Sequence, residues 1–166
     1  MSIKSWWATW DDLLPYKDQL VDMELELMVK YHYPDKIIPK SYPETRVNSL
    51  REYLQNGSTF LWISTDGKKL LGYYWAYVST FIDKKRWNLR SIMFLDEAKG
   101  QGLGTLAIVE GLKKALELEC DEAATEYVPW NSAMEALMRV NGYKVTRIEV
   151  VKNLNRTQNE KLEVSK

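Results

Sequence analysis

The stretch Lys99-Gly100-Gln101-Gly102-Leu103-Gly104 constrains this chain more than any other. The apolar run Ser91-Ile92-Met93-Phe94-Leu95 precedes it, and Thr105–Leu116 follows with Ile108, Leu112, Ala115 and Leu116 at helical spacing. Glu110, Lys113, Lys114 and Glu117 take the opposite face, so the local order is strand, glycine loop, helix. Three glycines in five residues cost chain entropy, which predicts a loop whose backbone must stay unobstructed. A loop that opens a helix also presents unpaired N–H groups at the positive end of the helix dipole, a setting that suits phosphate. Taken alone, the pattern reads equally well as a glycine-rich turn without a ligand.

Two nucleotide-binding loops do not fit. The Walker loop requires Gly-Lys-Ser/Thr, and Gly104-Thr105 lacks the lysine; the dinucleotide fingerprint counted from Gly100 requires glycine where Thr105 stands. The stretch instead resembles motif A of the GNAT N-acetyltransferase superfamily, Arg/Gln-x-x-Gly-x-Gly/Ala, with Lys99 at the first position. Phe94–Ala98 is similar to that family's strand exit, with Asp96 where a proline often sits. Asn131 and Leu137 with Gly142-Tyr143 resemble the family segment Asn-x-x-Ala-x-x-Leu-Tyr-x-x-x-Gly-Phe. Both motifs stand in register within residues 88–145.

Composition narrows the partners. At 166 residues one domain is expected, assigned here to residues 1–151 with a polar tail over 152–166. Lys+Arg and Asp+Glu are both 23, which argues against nucleic acid as a partner because phosphate neutralisation needs a basic surplus. One cysteine and one histidine leave neither a Cys/His metal site nor an internal disulfide, so no metal is expected. Cys120 reads as a small apolar residue rather than a nucleophile. The N-terminus lacks the apolar region of a signal peptide, and no apolar run is long enough to span a membrane. The expectation is a cytoplasmic protein with no membrane partner.

In chain order, Ile3–Trp10 reads as a strand rich in tryptophan, and Asp11 and Asp12 as caps for a helix entered through Pro15. Leu20, Met23, Leu27, Met28 and Tyr31 keep helical spacing to about Lys30, with Asp22, Glu24 and Glu26 outward. Tyr31-His32-Tyr33-Pro34 breaks that helix, and a second opens near Pro43-Glu44 and stops at Asn56-Gly57. Thr59–Ser64 and Lys69–Val78 flank Asp66-Gly67, the dipeptide favoured by a type I′ turn, and so predict a hairpin. A charged loop, Asp83–Arg86, leads to a strand over Asn88–Leu95. After the glycine loop and its helix come a strand over Glu122–Val128, a helix over Asn131–Val140 and a last strand over Lys144–Val151. The order β-α-α-β-β-β-α-β-α-β is that of a mixed α/β GNAT fold with a splayed central sheet. The family closes with two antiparallel strands, whereas this chain carries the pattern for one; a seventh is absent or supplied by another chain.

The resemblance implies an acetyl-CoA-dependent N-acetyltransferase that moves an acetyl group to a primary amine by direct attack in a ternary complex. The backbone of Ile92, Met93 and Phe94 would then lie along the pantetheine arm. The amides of Gly100, Gln101, Gly102, Leu103, Gly104 and Thr105 would hold the pyrophosphate, reinforced by Lys99. Asn131 would touch the cofactor's amide region, and it also reads as a plain helix N-cap. Glu126 is the expected base, because ribosomal-protein N-terminal acetyltransferases resemble this chain five residues before Asn131 and carry a glutamate base there. Strand alternation would set Glu126 in the row Ala124, Glu126, Val128, a setting that raises a carboxylate pKa; its plainer reading is a solvated or paired carboxylate. His32, in an aromatic turn, and Trp6, Trp7 and Trp10 border the region where an acceptor would enter, although each also reads as a packing residue.

Met138 departs from the family, which puts a proton-donating tyrosine there. Tyr127, Tyr143 or water could serve in its place, or the protein does not turn over. Two functions therefore stay open: the transferase, with a small-molecule or peptide amine as acceptor and room for a homodimer, and a catalytically degenerate GNAT-fold protein with a structural or interaction role.

Overall fold

A computed structural model describes residues 2–150. One mixed sheet, in the order β1-β2-β3-β4-β5, is built from β1 (Lys4–Ala8), β2 (Thr59–Thr65), β3 (Leu70–Phe81), β4 (Lys84–Phe94) and β5 (Glu122–Thr125). The first three junctions are antiparallel and the β4–β5 junction is parallel. Helices α1 (Trp10–Leu13), α2 (Lys17–Leu27) and α3 (Ser41–Gln55) pack on one face, and α4 (Leu103–Glu117) and α5 (Ser132–Val140) on the other. Among the described residues no helix is long and apolar enough to cross a membrane.

The alternation of β1 explains its tryptophans. Trp6, with Trp10, packs on the α1–α3 core, while Trp7 turns to the α4–α5 core and meets Phe60, Tyr74 and Trp87 edge-on at 6.1–6.4 Å. All three are half-buried against the two cores, and the strand is shorter than Ile3–Trp10 because Thr9 leaves it to cap α1. Its Oγ1 accepts from Asp12 N (3.2 Å) while Asp12 Oδ2 accepts from Thr9 N (2.9 Å), a reciprocal capping box.

Three turns differ from the sequence expectation. The β2–β3 loop has four residues rather than two, since Thr65 pairs with Leu70 and Asp66 Oδ1 accepts from both Lys68 N and Lys69 N. The β3–β4 loop is only Ile82-Asp83, because Phe81 pairs with Lys84. Lys84–Arg86 therefore belong to β4 rather than to a charged loop. They are held there by Arg86 Nε donating to Glu122 on β5 at 2.6 Å and by Arg86 stacking on Phe81 at 3.7 Å. α2 ends in a π-helical turn, Met28–His32, closed by Tyr33 N donating to Met28 O at 2.8 Å.

Two helix faces are also corrected. Glu24 does not point outward: it lies four residues after Leu20 and three before Leu27, on the buried face of α2, and is 1% exposed. On α4 the buried face is Leu103, Ala107, Ile108, Gly111 and Ala115, while Leu116 is exposed. Gly111 belongs to that face because a Cβ there would collide with the Tyr74 hydroxyl, which accepts from Trp87 Nε1 at 2.6 Å.

The last expected strand does not form within the described residues. Residues 144–150 run without a ladder partner, with Val145, Ile148 and Val150 exposed. β5, the sheet's last strand, is itself only four residues long, and its outer edge takes no further strand among the described residues. Val151 and the tail expected over 152–166 lie outside the described residues.

Candidate active site

β4 carries an extra residue. Trp75 pairs with Ser91 and Ala76 with Leu89, so Arg90 stands unpaired in a bulge that reverses the phase of the strand. Trp87 and Leu89 face the α4–α5 core, whereas Ser91 and Met93 turn to the α1–α3 side. At the same point β5 leaves. The parallel ladder runs from Arg86 against Glu122 to Leu89 against Thr125 and stops, while β4 continues to Phe94 against β3. Residues 90–94 thus keep one free edge in a crevice. Its walls are Leu89–Ile92 on one side, Thr125–Val128 with Asn131 and Met134 on the other, and Leu27, Tyr31 and His32 from the end of α2.

The glycine loop follows β4 through a short turn, Asp96–Ala98. Gly100 and Gly102 have φ of +74° and +75°, a left-handed backbone that L side chains adopt only under strain. Gly102 is the N-cap of α4, and among the described residues no side chain caps that end. Among the described residues none of the six amides from Gly100 to Thr105 finds an intramolecular acceptor. The result is a cradle of free donors at a helix N-terminus, which suits a diphosphate. Gly104 is different: it is helical, and a Cβ there would make ordinary contact with Leu137 at 3.6 Å. Lys99 is paired with Asp96, which raises the lysine pKa and lowers that of the aspartate. Gln101 Nε2 donates to Glu97 O at 3.0 Å.

The remaining sequence-expected residues divide. Ile92 lines the crevice, whereas the Met93 side chain packs on the α1–α3 core and the Phe94 ring fills the space beside Gly72. Asn131 is the N-cap of α5, its Oδ1 accepting from Met134 N at 3.1 Å, and it also lines the crevice. Glu126 borders the crevice but follows the end of β5 instead of sitting in a strand row. Its carboxylate is exposed and takes a hydrogen bond from Arg147 at 3.2 Å. Burial of the thiol pushes the Cys120 pKa up, and the residue packs against the α4–α5 core as a small apolar group.

Met138 is 2% exposed and wholly part of the α4–α5 core. Of the two tyrosines nearest in sequence, Tyr127 lines the crevice. Tyr143 does not; its hydroxyl is buried without a partner among the described residues, and burial pushes its pKa up to about 12.

Sequence reading missed a polar cluster below the crevice. Glu24 Oε1 accepts from Tyr73 Oη and Ser91 Oγ, each at 2.6 Å, and Glu24 Oε2 pairs with Arg46 of α3 at 3.3 Å. His32, at the crevice rim, is held below its ordinary pKa by partial desolvation, against the pull of Glu24 and with the push of Arg46. The signal for Glu24 was present, as its spacing from Leu20 and Leu27 shows. The signal for Arg90 was a charge inside the run from Leu89 to Leu95.

Comparison with known proteins now decides the family. Residues 22–143 match the acetyltransferase (GNAT) family. The chain belongs to it. Solved structures agree on the fold. A predicted acetyltransferase from Clostridium acetobutylicum, solved with acetyl-CoA, superposes with a TM-score of 0.73 at 12% identity, covering 92% of this chain and 96% of its own. AAC(6′)-Iy, in complex with the bisubstrate analogue CoA-S-monomethyl-acetylneamine, gives 0.67 at 14% identity over 93% and 99% of the two chains. An aminoglycoside acetyltransferase from an uncultured soil metagenomic sample, bound to sisomicin, gives 0.66 at 12% over 92% and 97%. At these identities the likeness shows the fold alone. No curated protein sequence matches the chain.

Proposed function

We propose that this GNAT-family acetyltransferase binds acetyl-CoA and transfers its acetyl group to a primary amine by direct attack in a ternary complex. One observation carries the reading: six free amides at Gly100–Thr105 stand directly after the half of β4 that has lost its parallel partner. The first feature suits the diphosphate and the second suits an extended arm that needs main-chain hydrogen bonds. Ile92, Met93 and Phe94 supply the free strand edge, Lys99 a charge beside the diphosphate, and Asn131 a polar group at the opposite wall. That three fold neighbours are acetyltransferases, two of them aminoglycoside-directed or carrying an aminoglycoside-derived analogue, supports an amine as the acceptor class.

In the transfer, the amine nitrogen bonds to the thioester carbonyl carbon, the C–S bond breaks and the thiolate leaves. One proton must leave the amine and one must reach sulfur. Glu126 is the candidate base: its exposed carboxylate borders the crevice, and Arg147 is its only partner among the described residues. Tyr127, which lines the same crevice, is the candidate donor to sulfur in place of the tyrosine that Met138 replaces.

Binding is tested by thermal shift, in which acetyl-CoA raises the unfolding midpoint. Turnover is tested by thiol release over a panel of amines. Glu126→Gln should lower kcat while leaving acetyl-CoA affinity intact; an unchanged kcat removes Glu126 from the mechanism. The buried Met138 favours a second reading, a member that binds the coenzyme without turnover. That reading holds if acetyl-CoA stabilises the protein and no amine releases thiol.

A further inference from the structure

A second cavity, of about 410 Å³, opens between α3 and the sheet, a volume within the range of small-molecule sites. Arg46 and Tyr53 of α3, Trp75 and Tyr77 of β3 and Arg90 of β4 wall it. Arg90 also lines the crevice and is the residue the two spaces share, at the bulge. Among the described residues, none lining the second cavity carries a carboxylate.

Its positive charge is only half compensated. Both guanidiniums lie over the Trp75 ring, Arg90 at 5.1 Å and Arg46 at 5.7 Å from its centroid. Glu24 answers Arg46, yet Glu24 is fully buried and already occupied by the Tyr73 and Ser91 hydroxyls. Arg46 Nε is buried and unpartnered, and Arg90 has neither an ion pair nor a hydrogen bond among the described residues. Partial desolvation and the neighbouring Arg46 charge lower the Arg90 pKa, while Glu24 opposes that shift. His32, which also feels Glu24 and Arg46, is held toward its neutral form and supplies no negative charge; Tyr53 and Tyr77 line the cavity beside the two arginines. Two planar forks on one aromatic ring are suited to a carboxylate or phosphate, which each can bind through paired N–H groups.

We infer that the acceptor is an amine that also carries a carboxylate or a phosphate, its anionic group held by Arg46 and Arg90 while its amine reaches the crevice beside the bulge. This rests on the transferase reading above, and it sets the chain apart from its aminoglycoside-directed fold neighbours. Aminoglycosides are polycations, and an arginine pair with one saturated carboxylate repels them.

Matched amines test it: L-phenylalanine against phenethylamine, O-phosphoethanolamine against ethanolamine, and kanamycin as the polycation. Each is titrated into the cofactor-free protein by calorimetry and then assayed for thiol release with acetyl-CoA. The anionic member of each pair should bind about tenfold more tightly or better and show a matching gain in kcat/KM, the size of one charge-assisted pair. Arg90→Met, at an exposed position, should collapse that ratio towards one. Arg46→Lys, which keeps a charge beside Glu24, should reduce the ratio without unfolding the protein. Equal affinity within the pairs, a preference for kanamycin, or a ratio that survives Arg90→Met overturns the assignment. Arg90-dependent binding of the anionic amines without any effect of acetyl-CoA would sink the transferase reading and leave the subsite standing. Stabilisation by acetyl-CoA with thiol release indifferent to the anion would do the reverse.

Discussion

From Arg86 to Leu89, β4 has a ladder on both sides, and Trp87 there is completely buried. From Arg90 to Phe94 the same strand is paired only with β3, and its other edge opens on the crevice. The first half takes part in the α4–α5 core; the second gives up half of its ladder to become a surface. The difference arises from two local events at one position, the bulge at Arg90 and the end of β5 at Thr125. A sheet that parts in this way needs its closed end to be firm, because among the described residues no ladder crosses the crevice to hold the open end. Variants at the two ends should therefore fail in different assays.

The largest effect belongs to the closed end. Trp87→Ala removes a fully buried indole that lies against Phe60 and Tyr74 and donates to the Tyr74 hydroxyl. Loss of about 3–5 kcal/mol in urea unfolding is expected. A cost below about 1 kcal/mol would mean that the closed end does not anchor the sheet.

Next comes the glycine loop, where two positions two residues apart should behave in opposite ways. Gly102 sits at φ +75°, so Gly102→Val strains the backbone by roughly 1–2 kcal/mol and turns the cradle amides out of line. Acetyl-CoA affinity measured by calorimetry should fall at least about tenfold. Gly104→Ala meets only Leu137, at van der Waals distance, and should leave stability and affinity close to wild type. If both substitutions are harmless, the loop is a turn and not a cradle.

The same contrast governs what could be read from residues alone. The glycine loop, the helix after it and the hairpin strands were legible because they follow local rules of turn chemistry and spacing. The mixed fold and the family followed from two motifs in register. The bulge was not legible: Leu89-Arg90-Ser91-Ile92 looks like an ordinary strand with a charge in it, and only cross-strand pairing shows that Arg90 is surplus. Glu24 failed for a related reason. Acidic residues are assigned to solvent by type, yet this one is fixed by partners 22, 49 and 67 positions away, at Arg46, Tyr73 and Ser91. The final strand was expected from Val145, Ile148 and Val150, whose β-branched pattern is real but forms no ladder among the described residues.

The smallest effect, and the one with a sign to test, concerns Lys99 and Asp96. The two are paired at the mouth of the cradle, and both are largely exposed, so neither adds much to folding. A diphosphate would have to draw Lys99 away from Asp96 and also approach the carboxylate left behind. The pair therefore subtracts from binding through Asp96 what it offers through Lys99. Lys99→Ala should weaken acetyl-CoA by about two- to fivefold and make binding less sensitive to salt, because one screened attraction is lost. Asp96→Asn should act in the opposite direction, freeing the lysine and removing a repulsion, so that affinity rises by a similar factor. Neither substitution should move the unfolding midpoint measurably. Should both weaken binding, Asp96 is orienting Lys99 rather than competing for it, and the open end of β4 is preorganised for its ligand where the geometry alone shows a contest.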